Sequence, residues 1–409
     1  MRRMHLMLLA AAAAFGLMLQ AEPVGDLKQA GLDAQRLARI AERMKGYVDR
    51  GELAGVVTLV SRHGVVGTLD AVGWADAVNK KPMRTDSIFQ IMSMTKPVCA
   101  TAIMMMVDEG RLALNDPVEK HLPEFRGQMM VASREEGRVS LVKPKRPITV
   151  RDLLTHTSGM TGPPPGLAEL YTRMDMLLAD AVRVFAQQPL EFEPGTRWLY
   201  SNTGIATLGR LVEVASGMSF EKFLETRIFQ PLGMKDSFLF PPADKLDRIV
   251  VVHSHANGKL VDAAPTILGG DSRKFRKGAR YSAPEFGMYS TASDLAAFYN
   301  MIRAGGVHAG TRLVSKASVD VMTSLHTGDL KAGHNPGTGF GLAWEVTKEA
   351  AGMLNLMSVG SYGHGGAFGT HGWVDPAKDL VGVFLIQHAG NAGNSKQVFI
   401  AMAGAAVLE

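Results

Sequence analysis

The sequence predicts a mixed α/β protein whose sheet is completed by strands from both ends of the chain, with a helical insertion between them. Three observations carry this. Strand patterns at Val56 to Ser61 and Val65 to Gly73, separated by Arg62-His63-Gly64, read as a hairpin. From about 111 to 285 the pattern changes to helices and long loops rich in Pro, Gly and charge. After about 336 strands return, at Gly339 to Val346, His371 to Asp375 and Leu380 to Gln387. The expected organisation is therefore an α/β domain assembled from 22–110 and 286–409, interrupted by a mainly helical domain at 111–285.

The elements follow in order. Met1-Arg2-Arg3 is a positive start, and Leu6 to Leu19 is apolar but shorter than the roughly 20 residues that cross a bilayer. Residues 1–21 therefore read as a secretory signal cut after Ala21, which implies export to the periplasm or beyond and no stable membrane insertion afterwards. An uncleaved anchor is the alternative. Asp33 to Arg50 has helical periodicity. Ser93 to Glu109 is the most apolar helix, hydrophobic all round at Ala102-Ile103-Met104-Met105-Met106-Val107 and stopped by Gly110, so it is expected to be buried on every face. Thr149 can cap Val150 to Thr155, Ser219 can cap Phe220 to Phe229, and Ser293 or Thr291 can cap Asp294 to Arg303. Asp375-Pro376-Ala377-Lys378-Asp379 is a turn between the last two strands, and Gln397 to Leu408 is a closing helix.

Composition narrows the function classes. With 46% hydrophobic and 20% charged residues the chain is an ordinary packed protein. Taking Arg2 and Arg3 from the 44 basic residues leaves 42 against 39 acidic ones. The runs Lys143-Pro144-Lys145-Arg146 and Arg273-Lys274-Phe275-Arg276-Lys277 do not alternate with aromatics, so they read as solvated loops and no nucleic-acid partner is expected. Cys99 stands alone in the apolar helix and reads as a buried side chain. The 12 histidines form no H-E-x-x-H pattern, and no phosphate-binding glycine loop occurs, so neither a metal nor another cofactor is expected.

A serine nucleophile needs a base. No G-x-S-x-G occurs, whereas S-x-x-K, which puts serine and lysine on one helix face, occurs three times. Ser140-Leu141-Val142-Lys143 lies in a charged, Pro-rich stretch read as a loop, and Ser219-Phe220-Glu221-Lys222 opens a surface helix that Ser219 would cap. Ser93-Met94-Thr95-Lys96 is followed by Pro97, which a helix accepts only in its first turn. Ser93 thus belongs at a helix start, where free N–H groups favour a developing negative charge. Lys96 acts as a base only if it falls well below about 10.4, for which desolvation beside Ile91, Met92 and the Met cluster is a cause. The plainer alternative is a capping serine beside a surface lysine.

With these residues the chain resembles the serine β-lactamase-like hydrolases: class C β-lactamases, D,D-peptidases and family VIII carboxylesterases. The resemblance runs from about Leu32 to the C-terminus. It rests on Ser93-Met94-Thr95-Lys96, on Tyr200-Ser201-Asn202 within Pro194 to Asn202, and on the segments Asp152-Leu153-Leu154-Thr155-His156-Thr157-Ser158-Gly159 and Pro231-Leu232-Gly233-Met234. It implies an antiparallel sheet flanked by helices, an acylated Ser93, and Tyr200 sharing the proton with Lys96. Asn202 would bind substrate and orient Lys96. The family's third motif, usually K-T-G, is matched by His364-Gly365-Gly366, after which the N–H of Ala367 would join that of Ser93 as an oxyanion hole. Gly366 would let the strand approach closely.

Histidine in place of lysine, and glycine in place of threonine, remove the charge and hydroxyl that dock a substrate carboxylate. The expectation is therefore a carboxylesterase acting on small acyl esters without cofactor. β-Lactamase or D-alanyl-D-alanine carboxypeptidase activity is the alternative, and a non-turnover penicillin-binding sensor is a third. Loops at Thr161 to Gly166 and Tyr281 to Tyr289 would shape the pockets. Where the family often shows two glycines before Ser-Thr-Ala, this chain has Glu285-Phe286-Gly287.

Overall fold

The computed structural model describes residues 20–21, 25–167, 169–264, 273–351 and 356–408. Most of the expected signal segment lies outside the described residues. The elements that position the site are, in chain order, α1 (Ala34–Asp49), β1 (Gly55–Arg62), β2 (Val65–Asp76), α2 (Thr95–Asp108), α3 (Asn202–Ser216), α4 (Ala292–Arg303), β3 (Thr338–Phe340), β4 (Glu345–Thr347), β5 (Tyr362–Gly365), β6 (His371–Asp375), β7 (Leu380–Leu385) and α5 (Ser395–Ala405). The strands pair in the order β2-β1-β7-β6-β5-β4-β3, every pair antiparallel. Two-residue strands at Gln20–Ala21 and Lys81–Pro82 pair with β2 and bring the sheet to nine among the described residues. The sheet is thus built from both ends of the chain.

Successive residues of a strand point to opposite faces, so alternate positions of β1 and β7 feed two cores. Val56, Val60, Leu380 and Phe384 pack with Leu37, Ile40 and Met44 of α1 and with Phe399 and Ile400 of α5. Val57, Leu59, Val381 and Val383 face the other way, into the core that holds α2 and α4. Burial on both faces explains why these strands read as continuous apolar runs. Asp33 caps α1 by accepting from the N–H groups of Gln35 and Arg36, and Thr149 forms a reciprocal capping box with Asp152.

Two expectations need revision. The strand expected over Gly339 to Val346 is two strands, β3 and β4, reversed by a turn in which Ala343 has φ 61 and donates its N–H to the Leu154 carbonyl. Its apolar character comes from burial of the turn itself, Leu342, Ala343 and Trp344 being fully buried. The segment 111–285 contains helices but also two hairpins, Met130–Glu135 with Arg138–Val142 and His253–Ala256 with Lys259–Asp262. Ser140 therefore sits on an exposed strand rather than in a loop. With Arg138–Val142 exposed throughout, no inside-outside alternation marks that hairpin.

Candidate active site

Ser93 lies on a single 3-10 turn, Met92–Met94, that leads into α2. Pro97 is the third residue of α2, where its missing N–H breaks no helical bond. The helix behind it is buried without a break from Thr95 to Met106, so the turn has a rigid support. The turn is also strained, since the buried Met92 holds φ 53 immediately before Ser93. It is held from the side by the segment at 288. Ile91 donates its N–H to the Met288 carbonyl at 3.0 Å, and Thr95 Oγ1 accepts the Met288 N–H at 3.1 Å while donating to the Met92 carbonyl at 2.7 Å.

Lys96 is completely buried. Its Nζ is 3.1 Å from Ser93 Oγ and donates to the backbone carbonyl of Glu285 at 2.7 Å. Burial pushes the ammonium down from 10.5 to about 7, against the opposing charge of Glu285. An amine that titrates near neutrality, one hydrogen bond from a serine hydroxyl, is a competent base. Nζ also lies 4.7 Å from the ring centroid of Tyr200. Burial pushes the Tyr200 phenol well above its ordinary range, while a hydrogen bond with Ser93 pulls the other way. The phenol is thus held protonated. Tyr200 stands just before α3, whose Ser201 cap accepts the Gly204 N–H at 3.0 Å.

His364, on β5, completes the wall. Its ring is 6.1 Å from that of Tyr200. Its Nδ1 is 2.7 Å from the Gly365 carbonyl, so Nδ1 carries the proton and donates. Burial first, then the charge of Lys96, push the imidazole down to about 3. It is neutral, and its Nε2 is a buried acceptor with no partner among the described residues. A Cβ at Gly366 would come within 2.4 Å of the Ile91 carbonyl and closer still to Thr370 Oγ1. That position requires glycine, and it lets the loop after β5 close onto the residues preceding Ser93. Ala367 is exposed on this loop.

A serine, a buried lysine whose ammonium is brought down to about 7 and a protonated tyrosine therefore meet where the helix start, α3 and β5 converge. The family model described as Beta-lactamase matches residues 40–406. The chain belongs to the beta-lactamase family. Esterase EstB of Burkholderia gladioli is 32% identical over 395 residues, covering 89% of this chain and 94% of that protein. Penicillin-binding protein 4 of Amycolatopsis lactamdurans is 33% identical over 287 residues, covering 70% and 67%. Among solved structures, EstCE1, a hydrolase with promiscuous acyltransferase activity, superposes with a TM-score of 0.75 at 24% identity, covering 92% of this chain and 99% of that one, which shows the same fold. This beta-lactamase-family chain is a serine hydrolase.

Within that family frame the structure also shows what the motifs did not. Lys96 is held by the Glu285 carbonyl, whereas Asn202, expected to orient it, has an Oδ1 with no partner among the described residues. His156 clamps the Tyr200 segment from both sides: its carbonyl accepts the Leu199 N–H at 2.9 Å and its Nδ1 accepts the Ser201 N–H at 3.1 Å. Its ring lies 4.5 Å from that of Tyr200. His334, from the loop before β3, sets its ring edge-on to Tyr200 at 4.5 Å. The segment containing His156 was visible as a motif; nothing in the sequence marked His334.

The remaining candidates resolve simply. Ser219 is a helix cap, accepting the Lys222 N–H at 3.4 Å. Cys99 is buried and its thiol is pushed up by burial, the opposite of what a nucleophile needs. Arg276 departs from the solvated-loop expectation. It is buried, its guanidinium donates to the carbonyls of Phe286 and Gly287, and it lies over the Phe286 and Tyr289 rings. Arg273 in the same run pairs with Asp76 and Asp262. Of the described residues, Asp76, His253 and Asp262 are placed closely enough to hold a metal ion, and this pairing gives both carboxylates a cation already.

Proposed function

We propose that this chain is a carboxylesterase that hydrolyses small uncharged acyl esters through an acyl-enzyme at Ser93. The observation that carries the reading is His364. It stands where the family's carboxylate-docking lysine is expected, yet it is neutral, and its one N–H is spent on Gly365. A substrate carboxylate gains neither charge nor donor there; an ester loses nothing. The name of esterase EstB supports the same reading.

In this mechanism Lys96 Nζ takes the Ser93 proton as Oγ forms a bond to the ester carbonyl carbon. The carbonyl electrons move onto an oxyanion held by the N–H groups of Ser93 and Ala367. Its collapse breaks the bond to the alcohol, which leaves with a proton from Tyr200, and Tyr200 recovers one from protonated Lys96. The roles are thus divided, because a phenol held protonated is an acid rather than a base. Water repeats the sequence on the acyl-enzyme. Asn202, with its free Oδ1, accepts a hydrogen bond from substrate.

The test is turnover of p-nitrophenyl butyrate beside nitrocefin, a carboxylate-bearing β-lactam. Fast steady-state ester hydrolysis with little nitrocefin cleavage is the expected result. Efficient nitrocefin turnover would replace the esterase reading with β-lactamase, and a single stoichiometric burst without turnover would point to a sensor. His364→Lys is expected to lower KM for nitrocefin about tenfold, the effect of one charge-assisted hydrogen bond of about 1.5 kcal/mol. An unchanged KM would rule out His364 as the determinant of specificity.

A further inference from the structure

The proposed mechanism makes no use of the one fully buried carboxyl group beside Lys96. Glu285 is wholly inaccessible to solvent. Its backbone carbonyl accepts Lys96 Nζ, and its buried side-chain carboxyl interacts electrostatically with the same ammonium. Oε1 accepts the Tyr281 hydroxyl at 2.8 Å, and Oε2 has no hydrogen-bond partner among the described residues. A carboxyl group buried with one oxygen unpartnered is expensive to keep, and a chain retains one where it has a use. The segment that carries it is tied to the Ser93 turn twice, through the Met288 bonds to Ile91 and Thr95 and through the pairing of Tyr289 with Gln90. Glu285 is therefore fixed relative to the reacting groups, not merely near them.

We propose that Glu285 is a positioning residue that sets the working charge of Lys96: ionised, it holds the lysine protonated and idle, and protonated, it releases the amine to accept the Ser93 proton. This rests on the reading of Lys96 as the base. The charged and titratable groups facing Glu285 are Lys96 and Cys99 from α2, Tyr171, Tyr200, Tyr281 and Arg276. The tyrosines and Cys99 are pushed up by burial and stay neutral. Arg276 keeps its charge, so the groups that change near neutrality are Lys96 and Glu285. Burial brings them to the same place from opposite sides, the carboxyl rising to about 7 and the ammonium falling to about 7. The negative charge of Glu285 raises Lys96, so removing it must lower Lys96 further.

The experiment is the pH profile of kcat/KM for p-nitrophenyl butyrate, together with the rate at which a fluorophosphonate labels Ser93. Wild type should lose activity as pH falls through about 7, where Lys96 takes up a proton. In Glu285→Gln, which keeps an oxygen for Tyr281, the acid limb should move about one pH unit lower in both measurements. Tyr281→Phe removes a hydroxyl donor that stabilises the Glu285 carboxylate, and should move the limb in the same direction by less. It also serves if the glutamine variant does not fold. A merely structural role would lower the plateau and leave the limb in place; that result, or a limb moved to higher pH, would overturn the proposal. Absence of any Ser93-dependent activity in wild type would instead overturn the mechanism on which it rests.

Discussion

Ser93→Ala is expected to reduce kcat for p-nitrophenyl butyrate by about 10⁴–10⁶-fold while leaving the folded protein intact. Among the described residues, Ser93 carries the hydroxyl that Lys96 Nζ hydrogen-bonds. Its removal leaves an amine with nothing to deprotonate except water, which must then attack without the positional advantage of a bound nucleophile. What survives is the contribution of the oxyanion donors and of binding. Lys96 keeps its bond to the Glu285 carbonyl, and the turn keeps its ties through Ile91, Thr95 and Met288, so the thermal midpoint should move by about a degree or less. Intact-mass measurement after mixing with ester should show an acyl adduct on wild type and none on the variant. An adduct on Ser93→Ala, or more than a few per cent of wild-type turnover, would move the nucleophile elsewhere.

Lys96→Met should separate activity from stability, lowering acylation by about 10²–10⁴-fold while making the fold more stable. The sign follows from linkage. Lys96 titrates at about 7 in the folded chain and at 10.5 when unfolded, so between those values the unfolded chain holds a proton that the folded one has lost. Wild-type stability therefore rises with pH across that window. At pH 7 burial of this lysine costs about 4 kcal/mol, from about 1.4 kcal/mol for each pH unit of displacement. Methionine removes the penalty but leaves the Glu285 carbonyl without its donor, at about 1–3 kcal/mol. A net gain of about 1–3 kcal/mol remains at pH 7; it should vanish between about pH 8 and 10, where the falling penalty meets the constant cost, and turn into a loss by pH 10.5. Glu285, displaced upward from 4.5 to about 7, titrates mainly below that window and meets it at its lower edge. Denaturant unfolding of both proteins between pH 7 and 10 checks this; equal stability at pH 7 would mean that Lys96 is not neutral in the fold.

The site was legible where local chemistry leaves a mark on residue order. Pro97 placed Ser93 at a helix start, the uninterrupted apolar run identified α2 as buried, and Ser201, the N-cap of α3, lies within the Tyr200-Ser201-Asn202 motif. The hold on Lys96 was not legible, since a backbone carbonyl carries no residue signature, and Glu285 registered only as a departure from the glycines expected there. Arg276 was misjudged for a related reason. A basic run looks solvated when its aromatic and carbonyl partners, Phe286 and Tyr289 among them, lie about ten residues away in a loop. The sheet was legible from its apolar strands; its turns were less so, because a buried reversal such as Leu342 to Trp344 is as apolar as the strands it joins.

A sheet whose central pair joins Val57 to Leu385 also dictates when the chain can fold. During synthesis β1 and β2 emerge about 300 residues ahead of the strand that covers the open edge of β1. At about 5–20 residues per second, that edge and its two apolar faces wait roughly 15–60 s for their partner. Contacts so distant along the chain form slowly even after release. Losing β7 and α5 would therefore not produce a shorter enzyme. It would produce a nascent chain with a permanently exposed strand edge, the kind of species that chaperones hold and that otherwise aggregates.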